Sequence, residues 1–559
     1  MSEQARQQAA PGSPTVGDLV VAFLECLGVR TVFGIISIHN LPIADALARR
    51  DAIRFVPVRN EAGAVNMADA GARSTGRIGV LLTSTGAGCA NACAGLLECL
   101  GAGTPLLHIT GNVETRYLDR VTGYTHETPT QFRMLEGVSK AAFRVHTPET
   151  ALGTLREAAR VALSAPRGPV TVEIPIDVQK MPVCLPADFG LVPPSPIEPC
   201  DAAVERIAAM LRRARRPMLW LGGGAAEAGD ASLALLRAGM GAASSVQGRG
   251  IVPDDHPQNL GSMASLGAAP DFLGSCDFML VAGSRLRSAQ THSFRLPLPH
   301  PLVIVDADPR AENRNYPCDA FVCADAQRFL SALAGKLGKL DLDPAFHDDL
   351  RAARRSAEST LRAMLGPYEA LLDALIEHAP ADFNWVRDIT ISNSTWGNRL
   401  PPLRAPRRGV YSVSGAIGMG LAQGIGAAIA APQRKTIALV GDGGLSLSLG
   451  EVATAVQERA NLTIILMNDG GYGIMRNLQD AHFGGRRFAA DLLMPDFGLF
   501  ARSLGLPHRR VAHPQGFSDA LREMLAIDGP SLLEADMAAI GPFAQAFGGP
   551  PTPYNQKSA

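Results

Sequence analysis

Two glycine-flanked acidic turns carry the densest chemistry in the chain, Gly441-Asp442-Gly443-Gly444 and Asn468-Asp469-Gly470-Gly471. Each follows an apolar run, residues 437–440 and 462–467, and between them Leu449, Val452, Ala453 and Val456 recur at helical spacing. The pattern predicts strand, turn, helix, strand, turn: one parallel βαβ unit. A right-handed crossover brings both strand ends to one edge of the sheet, the edge where open α/β sheets bind ligands. Asp442 and Asp469 then lie close together, and two carboxylates repel unless a cation sits between them. Oxygen ligands of this kind suit Mg²⁺, which usually also holds a phosphate. Glycines let backbone amides approach that phosphate closely. Either turn alone is ordinary turn chemistry; at the two ends of one unit they predict a metal–diphosphate site.

A second set of candidates lies near the start of the chain. Residues 31–36 predict a strand that empties into Ser37-Ile38-His39-Asn40, and residues 55–58 a strand that ends at Arg59-Asn60-Glu61 before a small-residue helix. Glu61 at a strand-to-helix turn either complements the helix dipole or presents a carboxyl for proton transfer. Residues 78–83 run into a loop holding Thr85, and residues 105–110 end at Gly111-Asn112. The four strands make a parallel α/β domain whose working edge carries His39, Glu61, Thr85 and Asn112. The loop 117–131 adds His126 and Glu127. Residues 387–396, RDITISNSTW, concentrate hydroxyl and amide groups, including Ser392 and Asn393, that either bind phosphate oxygens or make a solvated loop.

These residues need a scaffold, and the chain supplies three. After a tail at 1–14, residues 15–182 read as the first α/β domain. A Pro-rich linker at 183–200 leads to a second at 201–336, with strands near 217–221, 278–282 and 302–305. A charged helical connector at 337–366 precedes the third, 367–545, and a tail closes the chain at 546–559. The fold class is therefore α/β, with three doubly wound parallel-sheet domains.

Composition narrows the partners. With 559 residues, 47% hydrophobic content and a net charge of −1, the chain predicts a soluble multidomain protein with no nucleic-acid or membrane partner. Nine scattered cysteines without a CxxC pair fit reduced thiols, and hence a cytoplasmic setting. The opening residues, MSEQARQQAAPGSP, hold no apolar stretch and predict no secretory signal. The uncharged segment 410–431 is long enough to span a bilayer, but its glycines, serines and glutamine predict a packed turn and helix instead.

The ordered set RNEAGAVNMADAGAR, TSTGAGCANACAGL, SAPRGPVTVEIP, SGAIGMGLAQGIGAAIAA and GDGG through NDGGYG resembles the thiamine-diphosphate-dependent decarboxylase and acetohydroxyacid synthase group. That resemblance implies pyrimidine-binding, middle and diphosphate-binding domains, in that order. Glu61 matches the glutamate that activates the cofactor's aminopyrimidine. Asp442 and Asp469 match the Mg²⁺ ligands, with the carbonyl of Gly471 as a third. Ile417 falls where a large apolar residue props the cofactor. Ser392, Asn393, Gly441, Gly443, Gly444, Asn468 and Gly471 fall around its diphosphate. Ile38, Thr85, Asn112 and Glu127 would face substrate, and His39 and His126 would move a proton or hold a substrate carboxylate. A homodimer is implied as the minimum unit, and a homotetramer is common in the group.

Departures sharpen the expectation. The usual histidine before the glutamate is Asn60, and Asp469 stands where asparagine is frequent. The Phe-Gln pair of acetohydroxyacid synthases is replaced by His126-Glu127, and their flavin-contact sequence by residues 284–288, SRLRS, which counts against FAD. The expected activity is decarboxylation of a 2-oxo acid with carboligation to an aldehyde or ketone acceptor. The alternatives are acetolactate synthesis proper and a catalytically silent regulatory homologue.

Overall fold

The computed structural model describes residues 13–548, so residues 1–12 and 549–559 of the two expected tails lie outside the described residues. By internal contacts the chain forms two units. One is Met1–Ser195 with Val413–Ala431 and Ser448–Glu458; the other is Pro196–Ser412 with Pro432–Leu447 and Arg459–Ala559.

The first unit is built on β1 (Thr31–Gly34), β2 (Arg54–Pro57), β3 (Gly79–Thr83), β4 (Leu106–Asn112), β5 (Ala141–Arg144) and β6 (Pro169–Pro175). All pairs are parallel, in the order β2-β1-β3-β4-β6-β5. β3, β4 and β6 are buried along their whole length, the pattern of a sheet covered on both faces. One covering helix, Val16–Cys26, starts on a capping box in which Thr15 and Asp18 bond each other's backbone amides.

The second unit holds two sheets. The smaller comprises β7 (Pro217–Leu221), β8 (Gly241–Ser244), β9 (Phe278–Ala282), β10 (Leu302–Asp306) and β11 (Ala320–Cys323), in the order β11-β10-β9-β7-β8. The larger comprises β12 (Asn384–Arg387), β13 (Gly409–Tyr411), β14 (Thr436–Gly441), β15 (Leu462–Asn468), β16 (His508–Val511) and β17 (Ser531–Asp536), in the order β13-β12-β14-β15-β17-β16. Counted from its own first strand, this is the order of the first sheet again. In every sheet the order reverses between the first and third strands, the crevice where such sheets take ligands. In the smaller sheet that crevice is filled by backbone: the Gly224 amide donates to the Gly283 carbonyl at 3.0 Å. The triplet Gly222–Gly224 serves close packing there.

Two elements differ from expectation and one, the stretch 410–431, meets it. Gly441 is the N-cap of a short helix, Asp442–Leu445, so the first acidic turn is the opening turn of a helix. The stretch 410–431 is β13, a turn and a helix, Gly420–Ala430, which packs with the first unit. Gly426 lies so tightly on the Met67 carbonyl that a Cβ would overlap it. Residues 393–397 form a buried helical turn in place of a loop. No helix among the described residues is long and apolar enough to cross a membrane.

Candidate active site

In the second unit the crevice between β12 and β14 gathers the acidic turns and the Ser/Asn segment. Register aligns Arg387 with Leu439 and Gly441 with Met467, so the loops after β12, β14 and β15 share one edge. The Asp442 side chain is buried; its Oδ2 accepts the Gly471 amide at 2.7 Å and its Oδ1 the Asp469 amide at 3.3 Å. One carboxylate thereby clamps the second acidic turn. Burial, reinforced by the neighbouring Asp469, pushes the Asp442 carboxyl up to about 6. Burial also raises Asp469, against the pull of Arg476, whose Nη2 lies 2.9 Å from Asp469 Oδ1.

The donor set fits a hard cation and a phosphate. Among the described residues no cluster of three or more His, Cys, Asp or Glu forms a ready metal site. Here the oxygens are two carboxylates and a carbonyl, that of Gly471, which would lie 2.6 Å from a Cβ placed on Gly443. Gly471 itself sits at φ +147°, a conformation open to glycine. Ser392 Oγ and both amide atoms of Asn393 are buried with no partner. Leaving such groups unpaired costs about 1–3 kcal/mol each, so they suit a ligand's oxygens. Gly441 lets Thr390 approach, its absent Cβ leaving 3.1 Å to Thr390 Cγ2, and Gly444 is buried in the first helical turn. Asn468 faces sideways, donating from Nδ2 to Glu534 Oε1 at 2.8 Å while its Oδ1 accepts the Gly470 amide at 3.3 Å.

In the first unit the same edge carries the proton-handling candidates. Asn60 caps the helix Glu61–Thr75, its Oδ1 accepting the Ala62 amide at 2.8 Å. Glu61 is 7% exposed and accepts a hydrogen bond from Asn91 Nδ2 at 3.0 Å. Gly88 makes room for it, since a Cβ there would come within 2.8 Å of Glu61 Oε1. Two residues earlier, Gly86 abuts the His126 carbonyl, 3.1 Å from where its Cβ would lie. His126 and His39 face each other with Nδ1 atoms 3.4 Å apart and rings nearly edge to face. Burial, then the charge of His126, holds His39 below the ordinary histidine range. Gln179 Nε2 fixes the His39 carbonyl at 2.7 Å.

Other candidates point elsewhere. Thr85 and Asn112 are buried and spend their polar atoms on the protein. Thr85 Oγ1 lies 2.7 Å from Gln131 Oε1 and 3.2 Å from Asn112 Oδ1, and Asn112 Oδ1 accepts the Val113 amide. Glu127 Oε2 accepts the Thr122 amide and hydroxyl at 2.7 and 2.9 Å, ordering its own loop. Ile38 and Ile417, the latter in the turn before Gly420–Ala430, are both exposed, at 67% and 36%.

Sequence reasoning missed the hub of this edge, Gln131. Fully buried, it accepts the Gly86 amide at 2.7 Å and donates to Gly111 O at 3.2 Å and Glu173 Oε2 at 2.9 Å. Glu173 also pairs with Arg144. The available signal was Glu173 itself, a charge inside the otherwise apolar strand PVTVEIP.

Three family profiles match the chain. Residues 14–134 match the thiamine pyrophosphate enzyme N-terminal TPP binding domain, 204–333 the central domain and 390–535 the C-terminal TPP binding domain. Over 529 residues the chain is 35% identical to a probable 2-ketoarginine decarboxylase of Pseudomonas aeruginosa, covering 92% of each. It is 30% identical over 532 residues to the acetolactate synthase isozyme 2 large subunit of Escherichia coli, covering 93% of this chain and 94% of the other. Over 557 residues it is 28% identical to chloroplastic acetolactate synthase 2 of Nicotiana tabacum, covering 94% of this chain and 82% of that one.

Proposed function

Because the chain belongs to the thiamine pyrophosphate enzymes, whose cofactor it uses, we propose that it decarboxylates a 2-oxo acid and passes the remaining acyl carbon to a proton or to an aldehyde or ketone acceptor. The carrying observation is the Asp442 clamp: a buried carboxylate bonded to two amides of the second turn, beside Asp469 and the partnerless Ser392 and Asn393. Bound thiamine diphosphate supplies an electron sink for the carbon–carbon bond that breaks or forms. Asp442, Asp469 and the Gly471 carbonyl would hold Mg²⁺; Ser392 and Asn393 would meet diphosphate oxygens, and Ile417 would support the rings. Glu61 would hold a proton at the aminopyrimidine, steadied by Asn91. The net decarboxylation is R–CO–COO⁻ + H⁺ → R–CHO + CO₂, and the His39–His126 pair would deliver that proton.

Relatives named for 2-ketoarginine decarboxylation and for acetolactate synthesis support a 2-oxo acid substrate. The division at 15–182, 201–336 and 367–545, a homodimer or homotetramer and a cytoplasmic setting belong to the same reading. Retention of Glu61 and Asp442 favours an active enzyme over a silent homologue. A panel of 2-oxo acids assayed for CO₂ release, with and without acceptor aldehydes, tests it. The expected result is Mg²⁺-dependent cofactor binding and turnover that Glu61→Ala abolishes; full activity in that variant would sink the mechanism.

A further inference from the structure

Two buried carboxylates outside both candidate clusters do the same thing in mirror fashion. Glu451 lies on the helix Glu451–Gln457, which follows β14, the third strand of its sheet. Its Oε1 accepts the amides of Arg59 and Asn60 at 3.0 and 2.9 Å, and its Oε2 accepts the Thr454 hydroxyl. Glu98 lies on the helix Ala87–Ala102, which follows β3, the third strand of the other sheet. Its Oε1 accepts the Val413 amide at 2.7 Å, and its Oε2 the Ser414 amide and hydroxyl at 2.9 and 2.5 Å. Both carboxylates are at most 2% exposed.

Their targets correspond too. Arg59 and Asn60 open the helix Glu61–Thr75, which follows β2; Val413 and Ser414 lead, after β13, to the helix Gly420–Ala430. Those two helices pack on each other through Gly426 against Met67 and Gly71 against Ala430. All of these residues belong to one unit. Room is kept for the contact: a Cβ on Gly63 would overlap Glu451 Oε1. Around Glu98, Arg73 bridges to Asp69, which in turn accepts Gln423 Nε2 at 3.2 Å.

Burying a carboxylate carries a heavy desolvation cost that hydrogen bonds repay only in part. Two such groups at equivalent places, each gripping two consecutive amides, suit fixing geometry better than adding stability. We propose that Glu451 and Glu98 are reciprocal positioning residues, Glu451 setting the turn that presents Glu61 and Glu98 the turn that presents Ile417. The inference rests on the roles given to Glu61 and Ile417 above.

The two carboxylates differ in a way that makes the idea testable. Glu451 serves both amides with one oxygen, so Glu451→Gln keeps that oxygen and turns its NH₂ toward Thr454, whose hydroxyl can accept. Glu98 needs both oxygens, so Glu98→Gln must set an NH₂ against an amide N–H. In the full chain, hydrogen exchange is read at residues 59–62 and 413–417, with cofactor affinity by fluorescence quenching and kcat on the best 2-oxo acid. Glu451→Ala is expected to speed exchange at 59–62 and cut kcat at least about tenfold, with cofactor Kd within about threefold; Glu451→Gln rescues both readouts. Both Glu98→Ala and Glu98→Gln are expected to speed exchange at 413–417 and weaken cofactor binding about tenfold. Unchanged exchange in the alanine variants, or equal damage from glutamine and alanine at 451, would overturn the proposal. Wild-type inactivity on every 2-oxo acid would overturn the functional reading instead, leaving exchange in the glutamine pair to judge the clamp.

Discussion

Replacing Gln131 with leucine is the sharpest test of the buried network behind the proton-handling edge. The glutamine is fully buried and ties the loop after β3, through Thr85 and the Gly86 amide, to Gly111 at the end of β4 and Glu173 in β6. Leucine matches its size but offers no partner. The Gly86 amide would then be buried and unpaired, at about 1–3 kcal/mol, and Glu173 would lose a hydrogen bond to a charged group, at about 1.5–3 kcal/mol. Glu173 keeps Arg144, and the sum of the two losses is roughly 2.5–6 kcal/mol. Thr85→Val removes one hydroxyl while Gln131 keeps the Gly86 amide, and about 1 kcal/mol is expected. The two residues share a bond, so the double variant should fall short of the sum. Urea denaturation reads the global loss. Hydrogen exchange at the Gly86 amide reads the local one, and about 2 kcal/mol there speeds exchange roughly 30-fold. If Gln131→Leu stays within about 1 kcal/mol of wild type with Gly86 exchange unchanged, the network does not hold the loops.

Asn393→Leu removes two buried polar atoms that have no partner; the apoprotein should be no less stable by thermal denaturation, while cofactor affinity falls about tenfold or more in titration. Gly443→Ala sets a Cβ 2.6 Å from the Gly471 carbonyl, so Mg²⁺-dependent cofactor binding should be lost in a protein with an unchanged circular dichroism spectrum. His126→Gln removes one of the two influences holding His39 down. The His39 pKa should rise, and because a proton donor acts in its protonated form, the alkaline limb of kcat/KM moves to higher pH; the shift is incomplete because burial, the larger cause, remains. An alkaline limb that moves down or stays put would separate the two histidines.

Much of this scaffold is legible in the sequence because apolar runs that end in glycine mark parallel strands, and strands such as 217–221 and 278–282 are found to the residue. Several of the strands that escape notice are at sheet edges. β8 is Gly-Ala-Ala-Ser and has no β-branched residue to announce it; β5 is half-buried throughout, with no alternation. Site chemistry divides the same way. Asp442 and Asp469 are readable because both ends of one βαβ unit are close in sequence. Gln131 reads as the last polar residue of the loop 117–131, and only the fold delivers it to Glu173, 42 positions away. The partners of Glu451 are 391 and 392 positions distant. Sequence announces that a carboxylate is present and says nothing of the amides it will meet.

The repeated strand order gives a physical reason for the proposed split between anchoring and proton handling. The first and third sheets present equivalent crevices, and what distinguishes them is the loop chemistry after equivalent strands. After the third strand, one copy places Thr85, Gly86 and Gly88 and the other Asp442, Gly443 and Gly444. Two carboxylates, a carbonyl and partnerless amide and hydroxyl groups favour a cation and an anionic tail. A single carboxylate with one amide donor and a histidine pair favours protons. Placing both sets in one crevice would set Glu61 beside the Asp442–Asp469 pair, where a third negative charge would raise those two carboxyls further. On the proposed reading, the turns presenting Glu61 and Ile417 must be fixed independently of the anchor. Glu451 and Glu98 are the buried groups bonded to those two turns.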